Sequence, residues 1–284
     1  MKLIHLSDLH VTPPGVRHLG YLPRRQLETA IASVNAEHSD ASLVVITGDL
    51  AALGQSAAYG ELKECLQTLS VPYRLCLGNG DHRARFRAAF PDAPVDEHGF
   101  VQSFVDTEQG RLLFLDTLAP GDHWGELCAK RLAWLEQRLE EAGDRPVFIF
   151  MHHPPFPVGI RLVDRLALRS AAAFADILRG RNVRHMFFGH LHRPIAGSWQ
   201  GIPVSVVRST VSQFALLLGT DQAARCYETP FYAVVLIDES QVIVHFHDYT
   251  YMGPMIPYAP VPAVIVDDEN VAYRFQEARC RGPA

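Results

Sequence analysis

CLGNGDH, residues 76–82, is the stretch from which the fold can be read. An apolar run, Tyr73 to Leu77, breaks off into Gly78, Asn79, Gly80, Asp81 and His82. The same break recurs elsewhere in the chain. LIHL (3–6) runs into Ser7-Asp8-Leu9-His10 and LVVIT (43–47) into Gly48-Asp49. VFIFM (147–151) runs into His152-His153-Pro154-Pro155 and HMFF (185–188) into Gly189-His190-Leu191-His192. Five apolar runs therefore end in Asp, Asn or His, usually beside a glycine. In open α/β sheets ligand sites form at the carboxyl ends of strands, so groups far apart in sequence can converge.

Outward from these runs, strands are expected at 2–6, 43–47, 72–77, 101–106, 111–116, 146–151 and 184–188, with helices at 24–37, 56–69, 130–142 and 170–180. In the third helix Leu132, Leu135 and Leu139 recur at helical spacing. Strand alternating with helix argues for an α/β sheet covered by helices. After residue 194 the Gly, Pro and Asp-Glu-Ser turns between apolar runs read as antiparallel strands. The expected division is a domain over 1–250 and a proline-rich arm or tail over 251–284, whose four prolines in 253–264 argue against helix and central strand.

Composition narrows the class. The chain has 284 residues, 48% hydrophobic and 20% charged, enough for one large core. Its apolar runs are too short to span a bilayer, and MKLIHLSDLH turns polar too early for a signal peptide. Five scattered cysteines without CxxC spacing read as reduced thiols of a cytoplasmic protein. A net charge of −5 with no Lys/Arg run argues against a nucleic-acid partner.

The spacing of the polar blocks fits metal coordination. Asp8/His10 and His190/His192 are i, i+2 pairs that share a side if the extended backbone persists. Glycines would let the chain turn sharply around a compact site. Imidazole with carboxylate suits first-row transition metals, and an Asp can bridge two of them.

In this order the five blocks resemble the calcineurin-like metallophosphoesterases: Asp-x-His, Gly-Asp, Gly-Asn-His-Asp, His and Gly-His-x-His. The match runs from residue 1 to about 195, and MHHPP with GHLH is similar to the bacterial cyclic-nucleotide and glycerophosphodiester phosphodiesterases. The resemblance implies a four-layer α-β-β-α sandwich of two mixed sheets. It implies one metal held by Asp8, His10, Asp49 and His192, and a second that shares Asp49 and adds Asn79, His152 and His190. The cofactors would be two divalent or mixed-valence ions of Fe, Mn, Zn or Co. Two divalent ions, less two Asp charges and a bridging hydroxide, leave about +1 for a phosphodiester monoanion. The implied reaction is in-line attack by metal-activated water with both ions on phosphoryl oxygens.

One position departs from the pattern. Gly80 stands where the family has a histidine that meets the phosphate or leaving oxygen and serves as proton donor, and Asp81 has lost that usual partner. Removing a general acid costs about 10²–10⁴ in rate. His82, His153 or a water are the alternatives for the proton, with His82 more simply opening the following helix. Gly80→His is expected to raise turnover on an alkyl diester about tenfold or more if the donor account holds.

Simpler roles stand beside these. Asp8 and Asp49 suit helix N-caps or turns, and Asn79 a turn. His153 reads as a neighbour of the ligand His152. His245 and His247, also at i, i+2, lack a following glycine turn and read as ordinary strand histidines, and His5 as a core group. His18, His38, His98, His123 and His185 carry no pattern. Arg161, Arg165 and Arg169 could line a rim but suit a solvated surface. The expected function is hydrolysis of small phosphodiesters, 3′,5′- or 2′,3′-cyclic AMP first and glycerophosphodiesters second. A nuclease, or a metal-binding scaffold that lost turnover with the histidine, are the competing classes. No membrane partner is expected, and a homo-oligomer joined through the tail is left open.

Overall fold

The structure, a computed structural model, describes residues 1–251, 253 and 254. One compact unit spans Met1–Thr250. Most of the proline-rich segment, and with it the expected arm, lies outside the described residues.

In chain order the elements are β1 (Lys2–Leu6), α1 (Pro23–Glu37), β2 (Leu43–Ile46), α2 (Ser56–Leu66), β3 (Tyr73–Leu75), α3 (Arg83–Ala89), β4 (Ser103–Thr107), β5 (Gly110–Phe114), α4 (Ala129–Ala142), β6 (Val147–Met151), α5 (Arg161–Asp164), α6 (Ala171–Leu178), β7 (Val183–Phe188), β8 (Ile195–Trp199), β9 (Ile202–Val206), β10 (Gln213–Phe214), β11 (Arg225–Cys226), β12 (Tyr232–Ile237) and β13 (Val242–His247). One sheet has the order β13-β12-β1-β2-β3 and the other β4-β5-β6-β7-β9-β8, with β10 and β11 as a separate ribbon. Strands β1, β2 and β3 are parallel, as are β5, β6, β7 and β9, while β4, β8, β12 and β13 pair antiparallel. The late antiparallel hairpins thus complete both sheets.

Why the strands read as unbroken apolar runs is clear from β6. Val147, Ile149 and Met151 pack under α4 and α6, whereas Phe148 and Phe150 enter the layer between the sheets. In β2, Val44 and Ile46 face the helices, and Leu43 and Val45 face the other sheet. Both faces are buried, so period-2 alternation sorts side chains between two apolar layers instead of apolar from polar. In the central layer the Phe150 and Phe187 rings stack at 4.4 Å and 9°. The result is two mixed sheets face to face with helices outside, the expected four layers.

His5 and His185 also sit in the central layer. His5 is buried with Nε2 2.9 Å from Thr47 Oγ1, and burial lowers its pKa to about 3. His185 lies 3.0 Å from Ser205 Oγ, stacks on Phe187 and is lowered by burial to about 4. Helix α3 is the one expected to follow His82, though RARFRAA, with one buried side chain, Phe86, and no apolar periodicity, does not mark its bounds.

Candidate metal centre

The carboxyl ends of β1, β2 and β3 meet those of β6 and β7, and all five polar blocks lie there. Their loops are stitched by backbone: Asp8 N–H donates to Gly48 O at 3.0 Å, His10 N–H to Asp49 O at 2.8 Å, and Gly189 N–H to His152 O at 3.2 Å.

The extended geometry assumed for the i, i+2 pairs does not persist. Asp8, His10, Asp49, His190 and His192 all have positive φ, between 46° and 69°. Only two other non-glycine residues among those described do, so left-handed backbone is concentrated in these blocks. Such residues cost about 1–3 kcal/mol each and persist where function holds them. The glycines act mainly by close approach. A Cβ on Gly48 would lie 2.6 Å from Gly78 N and 2.8 Å from His152 Nδ1. Neither Asp8 nor Asp49 caps a helix.

Two buried groups of side chains result. Asp8, His10, Asp49 and His192 offer ligand atoms within 4.8 Å of one another, as do His152, His153 and His190. His192 Nε2 is 3.2 Å from Asp8 Oδ1 and 3.1 Å from His10 Nε2. Asp49 faces both groups: Oδ2 is 3.6 Å from His10 Nε2 and Oδ1 3.4 Å from His152 Nε2. Asn79 Oδ1 lies 3.3 Å from the same His152 nitrogen. All seven residues expected as ligands are therefore drawn to one end of the sheets.

Outer contacts set the imidazole tautomers. His152 Nδ1 donates to Thr47 O at 2.8 Å and His192 Nδ1 to Ser212 O at 2.6 Å, leaving each Nε2 lone pair turned inward. Burial, helped by neighbouring imidazoles, pushes His190 down to about 3 and His10 and His153 well below their ordinary value. Burial would raise Asp8, but His192 and His152 beside it hold its carboxyl well below the usual range, whereas burial outweighs His152 at Asp49 and raises it. The lowered imidazoles of His10, His153 and His190 beside two carboxylates form a set of lone-pair donors. Asp8 Oδ1, His10 Nδ1, His153 Nε2 and His190 Nε2 are buried without a hydrogen-bond partner. Orphaned acceptors of this kind fit a pair of metal ions.

Other expected site residues have different work. Asp81 is a clamp: its carboxylate accepts from Gly78 N–H (2.9 Å), Leu50 N–H and Ala51 N–H (3.1 Å each) and Tyr59 O–H (3.0 Å). Burial, then Asp49, raises its pKa to about 7. His82 caps α3, its Nδ1 accepting from Arg85 N–H at 3.4 Å. His153 Nδ1 lies 2.8 Å from Thr117 Oγ1. Arg161 and Arg165 pair with Asp221, and Arg169 covers the Trp124 ring at 3.3 Å. His247 Nε2 lies 3.2 Å from Glu37 Oε2, with His38 completing a third, partly exposed group.

At Gly80 the backbone N–H donates to Asp49 Oδ1 at 2.6 Å. A Cβ there would lie 2.8 Å from Ala51 O and 3.2 Å from Asp49 Oδ1, and φ is not left-handed. The glycine is thus built into the turn, and any side chain must displace the Ala51 carbonyl.

Two residues escaped the sequence reading. His123 Nδ1 lies 3.4 Å from Asn79 Nδ2, and Arg225 Nη1 donates to Ser212 Oγ at 3.0 Å beside His192. His123 comes from a loop and Arg225 from the two-residue strand β11, and neither follows a spacing rule.

The family model for calcineurin-like phosphoesterases matches residues 1–194. The chain belongs to that family. A probable cyclic nucleotide phosphodiesterase of Rhodopseudomonas palustris is 40% identical over 260 residues, covering 90% of this chain and 95% of the relative. A probable glycerophosphodiester phosphodiesterase of Arcobacter nitrofigilis is 29% identical, covering 81% and 86%. The crystal structure of a dimetal phosphatase from Danio rerio shares the fold, with a TM-score of 0.66 at 15% identity, covering 87% of this chain and 96% of that one. The family uses a dinuclear metal centre, and the two side-chain groups described above could each hold a metal ion.

Proposed function

We propose that the protein is a dinuclear metal-dependent phosphodiesterase acting on small diesters, cyclic nucleotides foremost. The observation that carries the reading is Asp49, one carboxylate turned with separate oxygens toward two imidazole groups. In it Asp8, His10, Asp49 and His192 hold one ion, and Asp49, Asn79, His152 and His190 the other. His153 keeps its Nδ1 on Thr117 and its ring beside His190, and its unpartnered Nε2 is close enough to add to the second ion. The ions would be Fe, Mn, Zn or Co, supplying an acidified water and charge stabilisation on the phosphoryl oxygens.

The chain's own groups arrange the rest. Gly80 N–H holds Asp49 in its bridging pose, and the Thr47 and Ser212 carbonyls hold two imidazoles as lone-pair donors. Attack by water on the diester breaks one P–O ester bond and leaves a phosphomonoester and a hydroxyl group, both on one product molecule when the diester is cyclic.

The 40% identical relative named a cyclic nucleotide phosphodiesterase supports that substrate class, and so does the rim near His10 and His192. There His18 stacks on His10 at 5.1 Å, Arg225 reaches Ser212, and Tyr21 packs against Tyr227, whose ring is 68% exposed. An arginine with exposed aromatic faces suits a nucleobase better than glycerol. Purified protein assayed for metal content and against 3′,5′- and 2′,3′-cyclic AMP, glycerophosphodiesters and bis(p-nitrophenyl) phosphate tests the reading. Two ions per chain with hydrolysis of cyclic AMP is the expected result. Preference for glycerophosphodiesters would replace the substrate, and metal without turnover on any diester would favour a scaffold, the class that Gly80 speaks for.

A further inference from the structure

We propose that Glu37, His38 and His247 form a separate metal site, for zinc, which fastens the edge strand β13 to the end of α1. The inference is independent of the phosphodiesterase reading, because these residues belong to neither of the two groups at the carboxyl strand ends. On sequence alone His247 reads as an ordinary strand histidine and His38 carries no pattern. The fold brings them together.

Each side chain is placed by a different piece of backbone. Glu37 is the last residue of α1, and His38 caps that helix. The His38 N–H donates to Val34 O and its carbonyl accepts from Ala41 N–H, both at 2.9 Å. His247 ends β13, the outermost strand of its sheet, opposite Tyr232 of β12. The Tyr232 ring serves both imidazoles, meeting His38 edge-on at 5.7 Å and His247 at 5.0 Å. The two imidazoles meet each other at 5.6 Å and 84°. One donor atom from each of the three residues lies within 4.8 Å of the others.

These donor atoms are not satisfied by one another. Both ring nitrogens of His38 and Nε2 of His247 are buried, with no hydrogen-bond partner among the described residues. His247 Nε2 is 3.2 Å from Glu37 Oε2, yet the pair lacks the alignment of a hydrogen bond. Ligands of a tetrahedral zinc ion, bound at about 2.0–2.1 Å, are about 3.3 Å apart and aim at the ion instead of at one another.

The carboxylate is oriented from behind. Ser33 Oγ donates to Glu37 Oε1 at 2.8 Å and, with its proton spent there, accepts from Tyr232 O–H at 2.8 Å. Such an outer hydrogen bond, with the second oxygen left toward the imidazole, is the usual support of a carboxylate ligand. Local charge agrees, since the ammonium of Lys2 near His38 is already bound to Asp40 at 2.7 Å. Two imidazoles and a carboxylate are a zinc donor set that leaves the fourth position to water. Partly exposed and with one ligand fewer than either half of the buried centre, the site fills from added zinc and empties on desalting.

The test is zinc titration by calorimetry of metal-reconstituted, desalted protein: wild type, His38→Gln, His247→Gln and His245→Gln. His245, exposed and two residues back on the same strand, is the control. Wild type and His245→Gln should take up one more zinc per chain than the two site variants. Only they should show a zinc-dependent rise in Tm, by about 5–10 °C at roughly a hundredfold excess over Kd. Glu37→Gln should weaken the uptake by at least the roughly 10–100-fold lost with an outer contact. Wild-type crystals soaked in zinc should give an anomalous peak among Glu37, His38 and His247, and that peak decides alone if a variant fails to fold. No added zinc in the wild type, full uptake by either site variant, or no peak among the three residues would overturn the proposal. The proteins compared share the same centre, so the difference reads the same whether that centre proves to hold two ions or none.

Discussion

The two halves of the centre are built to different standards of completeness. Around Asp8, His10 and His192 every motif residue is present, and the ligand atoms face one another at about the spacing one ion would fill. Around Asn79, His152 and His190 the inner ligands are equally well placed, yet the next residue outward is a glycine whose missing side chain has no vacant slot waiting for it. The difference separates holding metal from handling substrate. The first demands buried lone pairs in fixed tautomers, which both halves supply. The second demands an outer donor, which a motif histidine would give and which Gly80 does not.

The largest test of this comparison removes the shared residue. An outer contact to a metal ligand typically costs about 10–100-fold, so Asp49→Ala should lose more than about 10²-fold in kcat and lower the metal content on both sides. Retention of two ions in that variant would show that Asp49 bridges nothing. Next, each half is opened separately. His192→Ala and His152→Ala should each hold one ion per chain instead of two by elemental analysis. Loss of both ions from either variant would mean that the halves are not independent.

A smaller effect distinguishes site imidazoles from a structural one. His185 has its pKa lowered to about 4 by burial, against an ordinary 6.5. The unfolded chain therefore binds a proton that the folded one refuses. The stability present above pH 6.5 is lost as pH falls toward 4, by about 2–3 kcal/mol for this residue. In urea unfolding, His185→Gln should flatten that decline, whereas added metal should not. A wild-type slope in the variant would refute the assignment.

The smallest effect is at Gly80. Gly80→Ala should destabilise the fold by about 1–2 kcal/mol through displacement of Ala51 O. Gly80→His carries the same conflict, so the tenfold gain anticipated from the motif alone should not appear unless the turn relaxes. A tenfold gain at unchanged stability would show that the turn accepts the ring and that the outer donor is simply missing.

The five strand ends were legible because each joins two strong signals, an apolar run and a glycine beside ligand-type residues. Strand–helix alternation indicated an α/β sheet covered by helices, and the four-layer sandwich came only with the family resemblance that the five blocks carry. What could not be read was how the blocks turn. Asp8/His10 and His190/His192 converge through left-handed backbone, not by alternation along a strand, and that conformation is imposed by hydrogen bonds such as Asp8 N–H to Gly48 O that tie separate blocks. His82 does open α3, as its place before Arg83 suggested, whereas the contacts of His123 and Arg225 depended on how segments without periodicity fold back toward the centre.

The most direct measurement is anomalous diffraction from crystals of the metal-reconstituted protein, with data on either side of the absorption edge. Two peaks a few ångströms apart are expected, one among Asp8, His10 and His192 and one among Asn79, His152 and His190, with an Asp49 oxygen on each. A single peak, or a pair in which Asp49 touches only one ion, would contradict the account.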